Sequence, residues 1–233
     1  MTQEKRGQRF EHLSEGERSH CVVLADGFLE RRATLEEIDA VTRQLGRYPR
    51  GMVAVGARCA VCGSPLAVVT RPLIDGAVPF PTTCYLTSPE AVKAVSHLES
   101  TGVMARLSER LAETNDEAAL ARAAYLRAHE MYLCFRSRLA ERLGDSQEHI
   151  ADVSAGGMPT RVKCLHALVA QSLVFGPGVN PVGDWVLRNC ADEFSQATCR
   201  CSVSLTAVPQ RNEPSSPKPA AAAEAVSREA RHE

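Results

Sequence analysis

The densest chemistry in the chain lies in Ser154-Ala-Gly-Gly-Met-Pro-Thr-Arg-Val-Lys-Cys-Leu-His166. A thiol and an imidazole sit two residues apart, behind two cations and a pair of glycines. Pro159 is predicted to open a helix there, since proline is favoured in a first helical turn. A helix start offers unpaired N–H groups and a partial positive charge, which suit an anion. Ser154, Gly156 and Gly157 would then supply a hydroxyl and backbone donors, and Arg161 and Lys163 would clamp a phosphate or carboxylate. Cys164 would be thiolate-like near the positive end of that helix. Cys164 and His166 should not form a dyad, because residues two apart on a helix point to nearly opposite sides; a partner for Cys164 would have to come from His129 or His97. The bland alternative is a glycine turn with Cys164 buried as a small hydrophobe.

A second constellation is Cys59-Ala-Val-Cys62-Gly63, which has zinc-knuckle spacing. One such pair is half of a closed site. Cys84 and Cys164 are the candidates to complete it, for a zinc ion or an iron–sulfur cluster. Cys199-Arg-Cys201, at the edge of the C-terminal tail, is set aside as a ligand pair. The expectation is a chain without a stoichiometric metal. Asn180 and Asp184 open the last predicted helix and could complete the 154–166 site, Asp184 joining Cys164 and His166 as a catalytic group.

These residues must be held by a domain. The chain has 233 residues, 44% of them hydrophobic, with a formal net charge of −1. That is enough for one domain with appendages, and no whole-protein field draws in nucleic acid. The first thirty residues lack an apolar signal core and no run is long enough to span a bilayer. A cytoplasmic protein with nine reduced cysteines is therefore expected, with no nucleic-acid partner and no membrane insertion.

Along the chain, residues 1–33 show no clear period and read as an extension. Thr34-Leu-Glu-Glu37 is a capping box for a helix to Leu45. Met52–Ala57, Leu66–Thr70 and Thr83–Thr87 read as strands around turn-rich connections, one of which holds Pro79-Phe-Pro-Thr82. Ser88-Pro89-Glu90 starts a helix with Val92, Val95 and Leu98 on one face, and Val103, Leu107 and Leu111 continue the spacing after Gly102. Asn115 or Asp116 caps a long helix to Leu143. Its Ala121, Tyr125, Ala128, Tyr132, Phe135 and Leu139 keep heptad spacing, as in a helical hairpin. If Tyr125, Tyr132 and Phe135 were exposed, helix 116–143 would dock a protein partner. Residues 205–233 are too polar and proline-rich to fold. The fold class is α+β: a small antiparallel or mixed sheet, a long helical hairpin and C-terminal helices, over a single domain at 34–204.

Taken together, Leu45-Gly-Arg-Tyr-Pro-Arg-Gly51, Pro79-Phe-Pro-Thr82, Tyr85-Leu-Thr87, Leu98-Glu99, Ala128-His-Glu130, Ser154-Ala-Gly-Gly157, Arg161-Val-Lys-Cys-Leu-His166 and Gly176-Pro-Gly-Val-Asn-Pro-Val-Gly-Asp184 resemble a family of uncharacterised bacterial proteins, DUF501. The resemblance covers about 40–190. It implies a chromosomal neighbourhood with a septum-formation initiator and an exopolyphosphatase-type enzyme, hence an envelope or phosphate setting and a division-associated adaptor as an alternative function. It brings no established activity. The resemblance implies that relatives commonly carry Leu-Thr-Cys-Pro where this chain has Leu86-Thr-Ser88-Pro89, so a family ligand at that position would be lost here unless Cys84 replaces it. The leading expectation is a small anionic ligand at 154–166, with an enzyme acting on a phosphorylated metabolite as its extension.

Overall fold

The central strand of the sheet, β2 (Pro65–Thr70), is buried at every position. Its Leu-Ala-Val-Val core has the near-continuous apolar character of a strand covered on both faces. It pairs antiparallel with β1 (Met52–Arg58) on one side and with β5 (Cys84–Leu86) on the other. The connection between β2 and β5 carries a two-stranded ribbon of β3 (Leu73–Ile74) and β4 (Val78–Pro79). The computed structural model describes residues 10–202; the predicted disordered segment 205–233 lies outside them. Among the described residues are seven α-helices: α1 (Glu15–Glu30), α2 (Leu35–Leu45), α3 (Pro89–Ser100), α4 (Val103–Ala112), α5 (Asp116–Leu143), α6 (Leu165–Phe175) and α7 (Pro181–Asn189). The fold is α+β with a small antiparallel sheet.

Helix α6 is the centre of the molecule. Leu165 and every residue from 167 to 175 are buried, as befits a helix apolar on all sides. It packs on all three strands of the sheet and on α3 and α7. Contact with β1 is close: a Cβ on Gly56 would lie 2.7 Å from Val174 Cγ2. Contact with α7 is closer, since a Cβ on Gly183 would lie 2.3 Å from the Leu168 carbonyl oxygen. Phe135 of α5 stacks edge-on against Phe175 at 5.0 Å and against Phe28 of α1 at 6.1 Å.

Two expectations change. The N-terminal extension is, over its described part, a core helix. Ser14 and Glu17 form a capping box, Cys21, Ala25, Phe28 and Leu29 are buried, and Asp26 is bridged by Arg138 and Arg142 of α5 at 2.7 and 2.8 Å. The stripe of α5 is not a docking surface: Tyr125, Tyr132 and Phe135 are all 0% exposed. Every residue of α5 from 128 to 136 is buried, with its polar members satisfied internally. Tyr132 Oη, for example, accepts from the Cys84 N–H at 3.1 Å and donates to the Pro81 carbonyl at 3.2 Å.

Because α1 packs on α5, its cap should register in global stability. Ser14→Ala is expected to cost about 1 kcal/mol in urea unfolding. An unchanged midpoint would mean that α1 detaches before the core unfolds.

Candidate functional site

The segment 154–164 is a loop, and helix α6 begins only at Leu165, with Cys164 at its N-cap. The peptide bond before Pro159 is cis, and the expected helix start at that residue is not present. The loop folds back on Gly156, whose carbonyl accepts from the N–H groups of Lys163 at 2.7 Å and Cys164 at 3.4 Å; the Gly157 carbonyl accepts from Arg161 N at 3.1 Å. Side chains of the helical hairpin fasten it from outside. Tyr125 Oη donates to the Arg161 carbonyl at 3.2 Å, and Ser108 Oγ accepts from Val162 N at 3.0 Å. Arg161 and Lys163 are exposed.

The start of α6 already holds an anion, and it is a side chain of the protein. Glu99, in the last turn of α3, accepts from Leu165 N at 2.6 Å and lies 3.2 Å from His166 Nδ1. On the other edge of the imidazole, Nε2 lies 3.1 Å from Ser96 Oγ and 3.3 Å from the Val92 carbonyl. The predicted separation of Cys164 from His166 does not hold. Cys164 has extended backbone (φ −150°, ψ 110°), so its side chain is out of helical register and can meet that of His166. One atom each of Glu99, Cys164 and His166 lie within 4.8 Å of one another.

The electrostatics shift both side chains toward their charged forms. Interaction with His166 lowers the Cys164 pKa against the opposing effect of burial. The Ala167 N–H assists, too weakly to count as a cap hydrogen bond. The His166 pKa is raised, first by Cys164 and then, against burial, by the charge of Glu99 and the Val92 carbonyl. Cys164 and His166 line a cavity of about 360 Å³ with Gly156, Ala167, Val92 and, from the β5 side, Thr82, Cys84, Tyr85 and Leu86. Burial pushes the Cys84 thiol up, so this one cavity pairs an acidified thiol with an inert one.

Other expected site residues are used elsewhere. Ser154 is buried with Oγ 2.8 Å from His129 Nδ1. Asn180 caps α7, accepting from Val182 N and Gly183 N, and donates to Gln171 Oε1 at 2.8 Å. Asp184 accepts from Gly178 N at 2.7 Å. None of the three lines the Cys164 cavity. No local spacing marks Glu99 as a site residue, because only tertiary contact brings α3 to the start of α6.

Cys84, expected beside Cys59 and Cys62, is replaced in that role by Cys199 and Cys201. The sulfurs of Cys59, Cys62, Cys199 and Cys201 all lie within 4.8 Å of one another. Within this group Cys62 is brought down to about 6, chiefly by the Ser64 hydroxyl 3.1 Å from its sulfur. The available signal was the presence of two short-spaced cysteine pairs in one chain.

The fold and the site thus define an α+β domain whose central helix begins at a cysteine–histidine–glutamate cluster. A family described as "Protein of unknown function (DUF501)" matches residues 55–188, and the chain belongs to that family. No curated protein and no solved structure gave a match. The matched span includes Cys59, Cys62, Cys84, Glu99, Cys164 and His166, whereas Cys199 and Cys201 lie beyond it.

Proposed function

We propose that the chain is a thiol-dependent enzyme of acyl transfer or hydrolysis, with Cys164 as nucleophile, His166 as its proton partner and Glu99 as the group that orients His166. The observation that carries this reading is the meeting of Glu99, Cys164 and His166 within 4.8 Å at the wall of a cavity. A nucleophile, a base and an orienting third group brought close together are the kind of arrangement that covalent catalysis uses, whatever the fold. An imidazole partner is the environment that lowers a thiol's pKa, here against burial and the nearby charge of Glu99.

In this scheme the Cys164 thiolate adds to an electrophilic acyl carbon, and the imidazolium gives its proton to the leaving group as the carbon–heteroatom bond breaks. Water then attacks the thioester, with neutral His166 taking its proton, and Cys164 leaves as thiolate with the acid as product. The apolar walls at Tyr85, Leu86 and Ala167 suit a small acyl group. Anion binding at 154–166 is less well supported than this thiol reading, because the Glu99 carboxylate occupies the helix start that an external anion would use.

The test is alkylation by iodoacetamide across pH, resolved by peptide mass spectrometry so that Cys164 is read apart from the other cysteines. Wild-type Cys164 should react with a midpoint below that of an ordinary thiol, near 8.5. His166→Ala should raise that midpoint by about one unit or more, a roughly tenfold loss of rate well below the midpoint. Cys164→Ser should abolish any turnover of small thioesters or activated esters. A Cys164 profile at the ordinary thiol position, unchanged in His166→Ala, would refute the reading.

A further inference from the structure

We infer that Cys59, Cys62, Cys199 and Cys201 form a closed zinc site that fastens the segment after α7 to the edge of the sheet. This goes beyond the thiol centre at Cys164 and does not depend on it. All four are free thiols, and their sulfurs lie within 4.8 Å of one another. A tetrahedral zinc with bonds of about 2.3 Å spaces its sulfurs at about 3.8 Å, so the group needs only a small contraction around one ion. A multi-iron cluster would hold its thiolates farther apart. Four thiolates leave no open position for water or substrate, which makes the site structural.

The backbone around the thiols is built for this arrangement. Cys59 N donates to the Ser64 carbonyl at 2.9 Å and Gly63 N donates back to the Cys59 carbonyl at 3.0 Å, closing the first pair into a knuckle. The second pair comes from far along the chain but is laid on the knuckle by specific contacts. Ala60 N donates to the Gln196 carbonyl at 3.0 Å, and Gln196 Nε2 donates to the Arg58 carbonyl at 3.0 Å. Beyond it, Ser202 N donates to Glu90 Oε1 of α3 at 2.8 Å. These few exposed contacts on their own are a weak hold for a terminal segment. Four bonds to one ion supply the missing strength, since binding to the folded state alone is folding free energy.

Zinc on the full chain, purified under reducing conditions, should measure close to one ion per molecule by elemental analysis. A mercurial titration in the presence of a zinc-sensitive dye should release that ion as four thiols are modified. Cobalt(II) in its place should show the d–d bands of a tetrahedral tetrathiolate. The double variant Cys199→Ser, Cys201→Ser should lose the metal and lower the Tm by at least about 4 °C, and chelation of the wild type should produce the same drop without any substitution. Cys164→Ala should keep its zinc, which separates failure of this inference from failure of the thiol-enzyme reading. Metal-free protein with four titratable thiols, disulfides between the pairs, or iron in place of zinc would each overturn the assignment.

Discussion

Arg136→Met should destabilise the protein by about 3 kcal/mol, the order expected when several buried acceptors lose one shared donor. Arg136 is 0% exposed, the largest fully buried side chain among the described residues. Its guanidinium is the hub that joins α5 to two loops. It donates to the Pro81 carbonyl at 3.2 Å ahead of β5 and to the Val153 carbonyl at 2.6 Å ahead of the glycine loop. It also donates to the Ile150 and Ala151 carbonyls and to Gln147 Oε1. Methionine would replace most of the apolar stem and none of the donors. Each buried carbonyl left without a donor costs about 1–3 kcal/mol, and relief of the guanidinium's own burial cost offsets part of that sum. Urea unfolding should show the loss as a lower midpoint at similar slope. Arg136→Lys should recover only a fraction, because an ammonium cannot reach carbonyls on two sides of a planar fork. A loss below about 1 kcal/mol for Arg136→Met would mean that water or rearranged backbone satisfies those carbonyls, and that the hub is not structural.

What was legible in the sequence was local. Thr34 and Glu37 make their capping box as read, and Ser88, Asn115 and Asn180 each accept a helix N–H as capping residues should. These signals depend on neighbours three residues away, so no tertiary knowledge is needed. The three main strands also follow from their apolar runs and turn-rich flanks. Helix α1 had the same kind of signal. Its Ser14-Glu-Gly-Glu17 box and the spacing of Cys21, Ala25, Phe28 and Leu29 are helical, but the apolar Val22, Val23 and Leu24 between them blur the stripe, Val23 facing solvent at 67% exposure.

At the site, what the sequence does not reveal is contact between distant segments. The start of α6 is set by Glu99, sixty-six residues earlier in the chain, accepting the Leu165 N–H, and Pro159 offered a local decoy. The rule that residues two apart diverge failed at Cys164 and His166 because it applies within a helix and Cys164 stands just outside one. The four-thiol group joins residue 59 to residue 201, a separation at which spacing arguments carry no information about proximity.

Gly156 decides whether the glycine pair is a ligand cradle or a packing device, and the expected result is packing. Its φ is +68°, and a Cβ there would lie 2.5 Å from Leu168 Cδ2 and 2.7 Å from Cγ. Gly46, the C-cap of α2, has the same φ of +68° with nothing within 4 Å. The two positions therefore share backbone strain and differ only in surroundings. Gly46→Ala should cost about 1 kcal/mol, the left-handed penalty for an L-residue. Gly156→Ala should cost about 3 kcal/mol, because overpacking adds a further ~1–3 kcal/mol. Leu168 lies one helical turn beyond Cys164 and the Cys164 carbonyl is itself 3.1 Å from the same Cβ, so the substitution should also slow alkylation of Cys164. Paired chemical denaturation of the two variants isolates the packing contribution. Equal losses at Gly46 and Gly156, with Cys164 reactivity untouched, would show that Leu168 yields freely and would return the glycine pair to the role of a ligand-facing turn.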